Sequence, residues 1–311
     1  MTSGIDMANM FGDGAPVETF LGLPKGTPGD PAKGAILGVT GVTPYASVGP
    51  YCAGGPQAIR AAIAGDAALL THMDFDCGAA MFDGPPNVID CGDLDYDSDF
   101  DVNRTRVRAA VGKMLAVGCL PILIGGDDSL PIPMLEAYAD HGPITILQID
   151  AHIDWRDEVQ GERLGLSSGM RRASEMDHVE AIIQVGARAT GSARASDVED
   201  AKAWGVQFFP AREIARRGVD AALYQIREGA NVVLCLDADS LDPSIVPGVI
   251  GRAPGGLSYW DVVNLIDGAS ERARLVGFEV AEFMPERDVD GIGALNIARI
   301  VANVVRIAAK L

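Results

Sequence analysis

The chain has 311 residues, with 25 lysines and arginines against 43 aspartates and glutamates, which gives a net charge of −18 at pH 7. This balance argues against a nucleic-acid-binding protein, because contacts with phosphates need clustered positive charge. For the same reason, the chain is not expected to dock on an anionic membrane surface. Hydrophobic residues make up 48% and charged residues 22%, which is typical of a globular protein with a large core.

The cellular location is predicted from the N-terminus and the cysteines. No apolar run reaches the roughly 18 residues that a membrane span needs. Residues 1–20 lack the basic start and the apolar stretch of a secretory signal. The five cysteines are odd in number and scattered, which is typical of reduced thiols rather than of a disulfide framework. We therefore expect a cytoplasmic protein.

The order of the elements predicts the domain organisation and the fold class. Residues 1–33 are rich in glycine, proline and aspartate, so we expect an irregular N-terminal arm there. Residues 34–311 contain neither a linker nor a repeat, which predicts a single domain. Short apolar runs predict buried strands at 35–39, 88–90, 121–124, 144–150, 181–185, 206–209, 232–236 and 274–280. Amphipathic stretches predict helices at 56–68, 102–117, 130–141, 211–228, 259–271 and 291–311.

Eight strands that alternate with helices predict an α/β fold, with helices on both sides of a parallel sheet. A TIM barrel is the main alternative at this strand count. In both folds the chemistry is found where the strands end at their carboxyl side. The ends of the predicted strands are therefore the first place to look for a functional site.

Acidic residues follow four of the predicted strands. The segments are Gly125-Gly126-Asp127-Asp128-Ser129, Asp150-Ala151-His152-Ile153-Asp154, Asp237-Ala238-Asp239-Ser240-Leu241-Asp242-Pro243 and Ala281-Glu282-Phe283-Met284-Pro285. Carboxylates gathered at one end of a sheet repel one another, and a divalent cation removes that penalty. A cluster this large could need two cations, with Asp150 and Asp237 able to bridge them. Oxygen ligands with one imidazole suit Mn²⁺, and Mg²⁺, Fe²⁺, Co²⁺ or Ni²⁺ remain alternatives.

The first three segments, in this order, resemble the motifs of the ureohydrolase family, which includes arginase and agmatinase. The family pattern is Gly-Gly-Asp-His-Ser, then Asp-Ala-His-x-Asp, then Ser-x-Asp-x-Asp-x-x-Asp-Pro. Residues 54–60 and 280–285 resemble its early Gly-Pro-x-Ala-Ile-Arg stretch and its late Glu-x-x-Pro. The resemblance covers residues 35–311 and implies a three-layer α/β/α fold with a predominantly parallel eight-stranded sheet.

The resemblance also implies a set of metal ligands. Two divalent cations per chain are expected, with Mn²⁺ favoured and Ni²⁺ possible. Asp150 and Asp237 would bridge them. The other ligands would be His152 and Asp239 on one ion, and Asp128 and Asp154 on the other.

The implied reaction is hydrolysis of a guanidino group. A water activated by the metals would attack the guanidinium carbon, which releases urea and an amine. Asp154 would orient that nucleophile, and Glu282 would pair with the guanidinium, for which a carboxylate is a natural partner. An acidic protein would also attract a cationic substrate.

The sequence departs from the family pattern near the expected site. Asp128 stands where the family has a histidine. Many members carry His-Gly shortly after the second motif, but residues 166–172 contain no histidine. A serine such as Ser168, or a water, would have to stand in there, or the leaving group must be protonated differently. Ser168 is also a candidate substrate contact. Trp155 is expected either to pack or to form a wall for the substrate. Cys235 replaces the family's serine inside a strand, where packing is the favoured role.

The substrate and the assembly state remain open. The favoured substrate is agmatine or a similar small cation, with guanidinobutyrate or guanidinopropionate as alternatives. A catalytically impaired subunit that acts in assembly is a second possibility, since two family histidines are missing. A single-zinc deacetylase of related fold is disfavoured, because its tandem histidines and catalytic tyrosine are not evident. The resemblance implies a homo-oligomer, a trimer or a hexamer.

Overall fold

The computed structural model describes residues 18–82, 84–191 and 193–311. Eight strands form one sheet, in which every paired neighbour is parallel. The strands are β1 Gly34–Val39, β2 Val88–Leu94, β3 Leu120–Ile124, β4 Ile144–Ile149, β5 Val179–Val185, β6 Gln207–Phe209, β7 Asn231–Asp237 and β8 Arg274–Ala281. Each of the eight predicted strands is found, with ends that move by a few residues.

The spatial order of the strands is β2-β1-β3-β8-β7-β4-β5-β6. Because β2 and β6 lie at opposite edges, the sheet is open, and the barrel alternative is wrong. The strands at the centre are buried on both faces; every residue of β3 and of β4 is buried, for example. Burial on both faces explains why these strands appear in the sequence as continuous apolar runs.

Helices cover both faces of the sheet. They are α1 Gly55–Ala62, α2 Phe100–Ala116, α3 Pro131–Glu136, α4 Gly169–Ala173, α5 Ala195–Trp204, α6 Ala211–Arg217, α7 Asp220–Leu223, α8 Tyr259–Arg272 and α9 Ile292–Ala309. The prediction missed α4 and α5. In α5 only Ala201 is buried, so the segment has no apolar face that a periodicity could reveal.

The core is divided into two parts, one on each face of the sheet. Adjacent residues of β1 show this, because Ile36 belongs to the first hydrophobic cluster and Leu37 to the second. Helices α8 and α9 pack into the first cluster, and α2 packs into the second. The result is a three-layer α/β/α domain, as the sequence predicts.

Helix α9 is the one described helix that is long and apolar enough to cross a membrane. Of the 18 residues of this helix, 67% are buried inside the protein, and Ile297, Ile300 and Val304 are among the core residues. Such burial is usual for the core helix of a globular domain.

Part of the predicted N-terminal arm is described, and it lies against the sheet. Phe20, Leu21 and Leu23 are buried, and the backbone N–H of Phe20 donates to Oδ2 of Asp90 at 2.8 Å. Residues 1–17 of the predicted arm lie outside the described residues. The division into an arm of residues 1–33 and a domain from residue 34 therefore stays a prediction.

Candidate metal centre

The acidic segments come together because four neighbouring strands carry them. Strands β3, β8, β7 and β4 are adjacent and parallel, so their carboxyl ends lie at the same edge of the sheet. The register is close: Ile124 pairs with Val280, Ala281 with Asp237, and Ile149 with Leu236. Residues far apart in the chain thus meet where these strands end.

All six expected metal ligands lie in two overlapping groups. In each group every residue offers one ligand atom, and these atoms lie within 4.8 Å of one another. The first group is Asp150, His152, Asp237 and Asp239, and the second is Asp128, Asp150 and Asp154. Asp150 belongs to both groups, as expected of a bridging ligand. Asp237 belongs to the first group alone, so its bridging role stays a prediction.

Short side-chain to backbone contacts shape two of the motifs. Oδ1 of Asp150 accepts from the backbone N–H of His152 at 2.7 Å, and Oδ1 of Asp237 accepts from that of Asp239 at 2.6 Å. Each contact folds an Asp-x-His or Asp-x-Asp segment into a tight turn. Nδ1 of His152 then lies 3.2 Å from Oδ2 of Asp239. The turns therefore direct side chains of both motifs to one place.

In the first motif, the two glycines and Asp127 have structural roles. Gly125 and Gly126 adopt φ angles of +88° and +87°, which favour glycine. A Cβ at Gly125 would also lie 2.5 Å from Cδ of Pro56. The carboxylate of Asp127 accepts from the backbone N–H groups of Val42 at 2.7 Å and Thr43 at 3.2 Å. Asp127 thus anchors a loop, and Asp128 is left to face the cluster.

Two functional candidates have left-handed backbones. The φ angle is +44° at Asp154 and +65° at Glu282. Residues other than glycine rarely adopt this region, and a strained conformation costs of order 1–3 kcal/mol. Such strain persists where the surrounding structure holds it, and it is frequent at active sites.

Buried like charges dominate the electrostatics of the cluster. Burial first, and then the neighbouring carboxylates, raise the pKa values of Asp128, Asp154 and Asp237 well above the ordinary value. The same causes raise the pKa of Asp239 to about 6. These carboxyl groups are poorly stabilised as anions without a positive charge, which a divalent cation would supply.

His152 is the one basic residue in the two ligand groups. Burial opposes its protonated form, but the hydrogen bond with Asp150 and the nearby carboxylates raise its pKa to about 10. Burial likewise opposes ionisation of Asp150, and the contact with His152 outweighs it and lowers the pKa of Asp150. The surrounding carboxylates therefore favour a positive charge at the position of His152.

Glu282 lies beside the cluster, at the end of β8. It is 3% exposed, and its Oε1 accepts from the backbone N–H of Asp128 at 3.0 Å and from the hydroxyl of Tyr51. Burial is the main cause that raises its pKa to about 8. Tyr51 is not predictable from the sequence, since a lone tyrosine in a glycine-rich loop carries no pattern that indicates a site.

A model described as the arginase family matches residues 34–306, which is most of the chain. The chain belongs to the arginase family. It is 30% identical to proclavaminate amidinohydrolase of Streptomyces clavuligerus over 94% of this chain and 93% of that protein. It is 30% identical to guanidinobutyrase of Pseudomonas aeruginosa, over 76% of this chain and 74% of that protein. It is 34% identical to a mitochondrial arginase of Arabidopsis thaliana, over 71% of this chain and 63% of that protein.

The solved structures agree with this assignment. The structure of proclavaminate amidinohydrolase from Streptomyces clavuligerus superimposes with a TM-score of 0.83 at 27% identity, and covers 96% of this chain and 98% of that one. The family and the fold that the motifs predict are therefore confirmed. This arginase-family chain is an amidinohydrolase-type enzyme with a candidate binuclear metal centre.

Ser168 is the residue predicted to stand in for the missing histidine of the family pattern. Its side chain is fully buried, and its hydroxyl has no hydrogen-bond partner among the described residues. The next residue, Gly169, lies close to Asp128. A Cβ atom built on Gly169 would be 3.6 Å from the backbone oxygen of Asp128. Ser168 therefore stays a candidate for contact with a bound molecule.

Of the two roles expected of Trp155, packing and a substrate wall, the structure supports packing. Trp155 is 2% exposed and belongs to the hydrophobic core. Its indole N–H donates to Oδ2 of Asp200 at 3.0 Å, and its ring centroid lies 6.4 Å from that of Trp204. The side chain after Asp154 thus points into the layer between sheet and helices, where packing is its role.

Two other side chains near the motifs have structural roles, and the packing role of Cys235 is the one expected of it. Cys235 is 1% exposed inside β7, and burial raises the pKa of its thiol well above the ordinary value, so the thiol stays neutral. Arg172 pairs with Asp157 at 2.8 Å. Neither side chain offers a free charge to a substrate.

Proposed function

We propose that this protein hydrolyses the guanidino group of a small guanidino compound, with agmatine as the favoured substrate, and releases urea and an amine. The observation that carries the proposal is the pair of overlapping ligand groups at the strand ends, with the carboxylate of Glu282 beside them. Membership of the arginase family supports the same reaction class.

The residues present fit a pair of divalent cations. The donor set is five carboxylates and one imidazole, and burial disfavours the carboxylates as free anions. Oxygen donors with one histidine suit Mn²⁺, our proposed metal, and Ni²⁺ is the alternative. One ion would be held by Asp150, His152, Asp237 and Asp239, and the other by Asp128, Asp150, Asp154 and Asp237. When bound, the cations would activate a water and stabilise the developing charge.

The role we propose for Glu282 is recognition of the guanidinium. Two donors fix its Oε1, namely the backbone N–H of Asp128 and the hydroxyl of Tyr51. In the absence of cations, burial raises the pKa of this carboxyl group to about 8. Cations in the cluster and a bound guanidinium would both favour its ionised form, which is the form that pairs with the substrate. Asp154, held by its left-handed backbone, would orient the attacking water.

The substrate assignment has two supports. The net charge of −18 attracts a small cation such as agmatine. An agmatinase of Gallus gallus is also 29% identical over 89% of this chain. Because one relative is a guanidinobutyrase, a guanidino acid is our second candidate substrate. A cytoplasmic location and a homo-oligomer of three or six subunits remain part of the proposal.

Urea release across a panel of guanidino compounds tests the proposal. The panel is agmatine, arginine, guanidinobutyrate and guanidinopropionate, offered after reconstitution with Mn²⁺ and, separately, with Ni²⁺. The proposal expects urea from agmatine above all. Urea from guanidinobutyrate alone would favour the second candidate. Two bound metals with no urea from any compound would favour an impaired subunit that acts in assembly.

A further inference from the structure

We infer that Gln148 and Gln184 form a buried amide pair that positions Asp150 and Asp154 for metal binding. The inference rests on the proposed metal centre, and it adds two positioning residues to it. Neither glutamine belongs to an acidic motif, and sequence reasoning did not single them out.

The two glutamines are neighbours across the sheet. Gln148 lies in β4, two residues before Asp150, so both side chains point to the same face of the strand. Gln184 lies in β5 and is the direct Cα partner of Gln148. They are 2% and 1% exposed, respectively. Buried amides are costly unless they are hydrogen-bonded, and both amide nitrogens and the Oε1 of Gln148 are bonded here. Among the described residues, the Oε1 of Gln184 has no partner.

The amide of Gln148 joins two candidate ligands. Its Nε2 donates to Oδ2 of Asp150 at 2.7 Å and to Oδ2 of Asp154 at 2.6 Å. Both amide hydrogens are thus used, and each is directed at a different carboxylate. The shared donor holds these two oxygens at one nitrogen, which fixes the relative orientation of the two carboxylates.

Gln184 fixes the orientation of that amide. Its Nε2 donates to Oε1 of Gln148, so the nitrogen of Gln148 has to face the carboxylates. If the amide of Gln148 were reversed, its carbonyl oxygen would face the two carboxylates. The two bonds that it donates and the one that it accepts from Gln184 would then be lost.

Gln184 also holds the backbone on which Asp154 is mounted. Its Nε2 donates to the backbone oxygen of Ile153 at 2.8 Å. That peptide directly precedes Asp154, whose φ of +44° is unfavourable for a residue with a side chain. The pair therefore restrains both the side chain and the backbone of Asp154.

The two ions should depend unequally on this pair. Gln148 bonds two of the three residues in the group that contains Asp128, namely Asp150 and Asp154. In the other group of four residues it bonds Asp150 alone. In that other group, backbone N–H groups hold Asp237 and Asp239, at 2.6 Å and 3.3 Å. Loss of the amide should thus weaken one ion more than the other.

Calorimetric titration of the metal-stripped full chain with Mn²⁺ tests the inference without a substrate. Gln148→Met keeps the length of the side chain but removes the donors. We expect one of two Mn²⁺ dissociation constants to rise about 10- to 100-fold, as is usual when a residue that orients a ligand is lost. The other constant should change less. Gln184→Met should produce a smaller change in the same constant, and it provides a second reading if Gln148→Met does not fold.

Thr145→Val is the matched control. Thr145 is a buried polar residue of the same strand, and its hydroxyl bonds Glu180 away from the carboxylate cluster. This variant should bind both ions like the wild type. The inference is overturned if a folded Gln148→Met or Gln184→Met variant keeps both wild-type dissociation constants, or if Thr145→Val weakens binding equally. A wild type that binds no Mn²⁺ would overturn it together with the proposed metal centre, and the urea panel reports separately on the substrate.

Discussion

The hydroxyl of Tyr51 donates a hydrogen bond to Oε1 of Glu282, although the two residues are 231 positions apart in the chain. Burial raises the pKa of Tyr51 far above the ordinary value, so its hydroxyl stays a donor. The contact connects a loop before α1 to the end of β8. It makes Tyr51 a positioning residue for the carboxylate that we propose to bind the guanidinium.

Tyr51→Phe should raise KM for the guanidino substrate by roughly 10- to 150-fold, because a hydrogen bond to a charged group contributes roughly 1.5–3 kcal/mol. Metal content should stay at the wild-type value, and kcat should change less than KM. Steady-state kinetics and elemental analysis measure these quantities. Tyr224→Phe is a control at a tyrosine that is 68% exposed. An unchanged KM, or loss of metal, would contradict the positioning role.

Glu282→Gln should lower kcat/KM by roughly 10- to 100-fold, because the neutral amide lacks the charge that a guanidinium prefers. Two metals should remain bound. Glu286→Gln, four residues further on at an exposed position, should behave like the wild type. If Glu282→Gln loses metal and still binds a guanidino inhibitor normally, Glu282 is a metal ligand or a structural residue instead.

Asp128→Ala should deplete one metal of the pair, since Asp128 belongs to only one of the two ligand groups. Asp128→His should keep both metals. A carboxylate there adds negative charge and makes the activated water less acidic, so the wild type should have an alkaline optimum and Asp128→His a lower one. Metal stoichiometry and pH–rate profiles measure both effects. Two tightly held metals and normal rates in Asp128→Ala would show that Asp128 is a turn residue.

Removal of the metals should leave a protein that becomes less stable as pH rises. Burial is the main cause that raises the pKa of Asp239 to about 6 and that of Glu282 to about 8, whereas the unfolded chain has ordinary values near 4. The folded state therefore holds more protons in this window, and its free energy of unfolding falls as pH rises.

Thermal unfolding of the chelated protein between pH 4.5 and pH 8 measures this dependence, since both values lie in the window set by Asp239 and Glu282. The Mn²⁺-loaded protein should show a flatter dependence, because bound cations keep the carboxylates ionised. If the unfolding temperature depends on pH equally in the chelated and the Mn²⁺-loaded proteins, metal binding does not change the protonation of these carboxylates, and the prediction is wrong.

The sequence predicts those features that follow from local pattern. Continuous apolar runs indicate the strands because both faces of the sheet are covered. Asp150, His152 and Asp154 are identified by their spacing and by their place directly after a buried strand. Since parallel strands end at one edge, the convergence of the acidic motifs follows as well.

Features that depend on packing between distant segments are not predictable in this way. The contact of Tyr51 with Glu282 exists only once the loop before α1 folds over the strand ends. The role of Gln184 depends on the register between β4 and β5. Trp155 is the opposite case, in which the local sequence suggests a contact that the fold does not make. Its place directly after Asp154 suggests a substrate contact. In the structure, Asp154 has a left-handed backbone and the side chain of Trp155 packs in the hydrophobic core.

The most direct test of the central claim is urea release by the Mn²⁺-loaded protein incubated with agmatine, with Asp237→Ala and Asp242→Ala as paired variants. Asp237 lies in the buried ligand group, whereas Asp242 bonds backbone N–H groups of its own loop. We predict urea and amine in equal amounts from the wild type and from Asp242→Ala, and neither product from Asp237→Ala, which should also lose metal. Full metal content and undiminished urea release in Asp237→Ala would contradict the account.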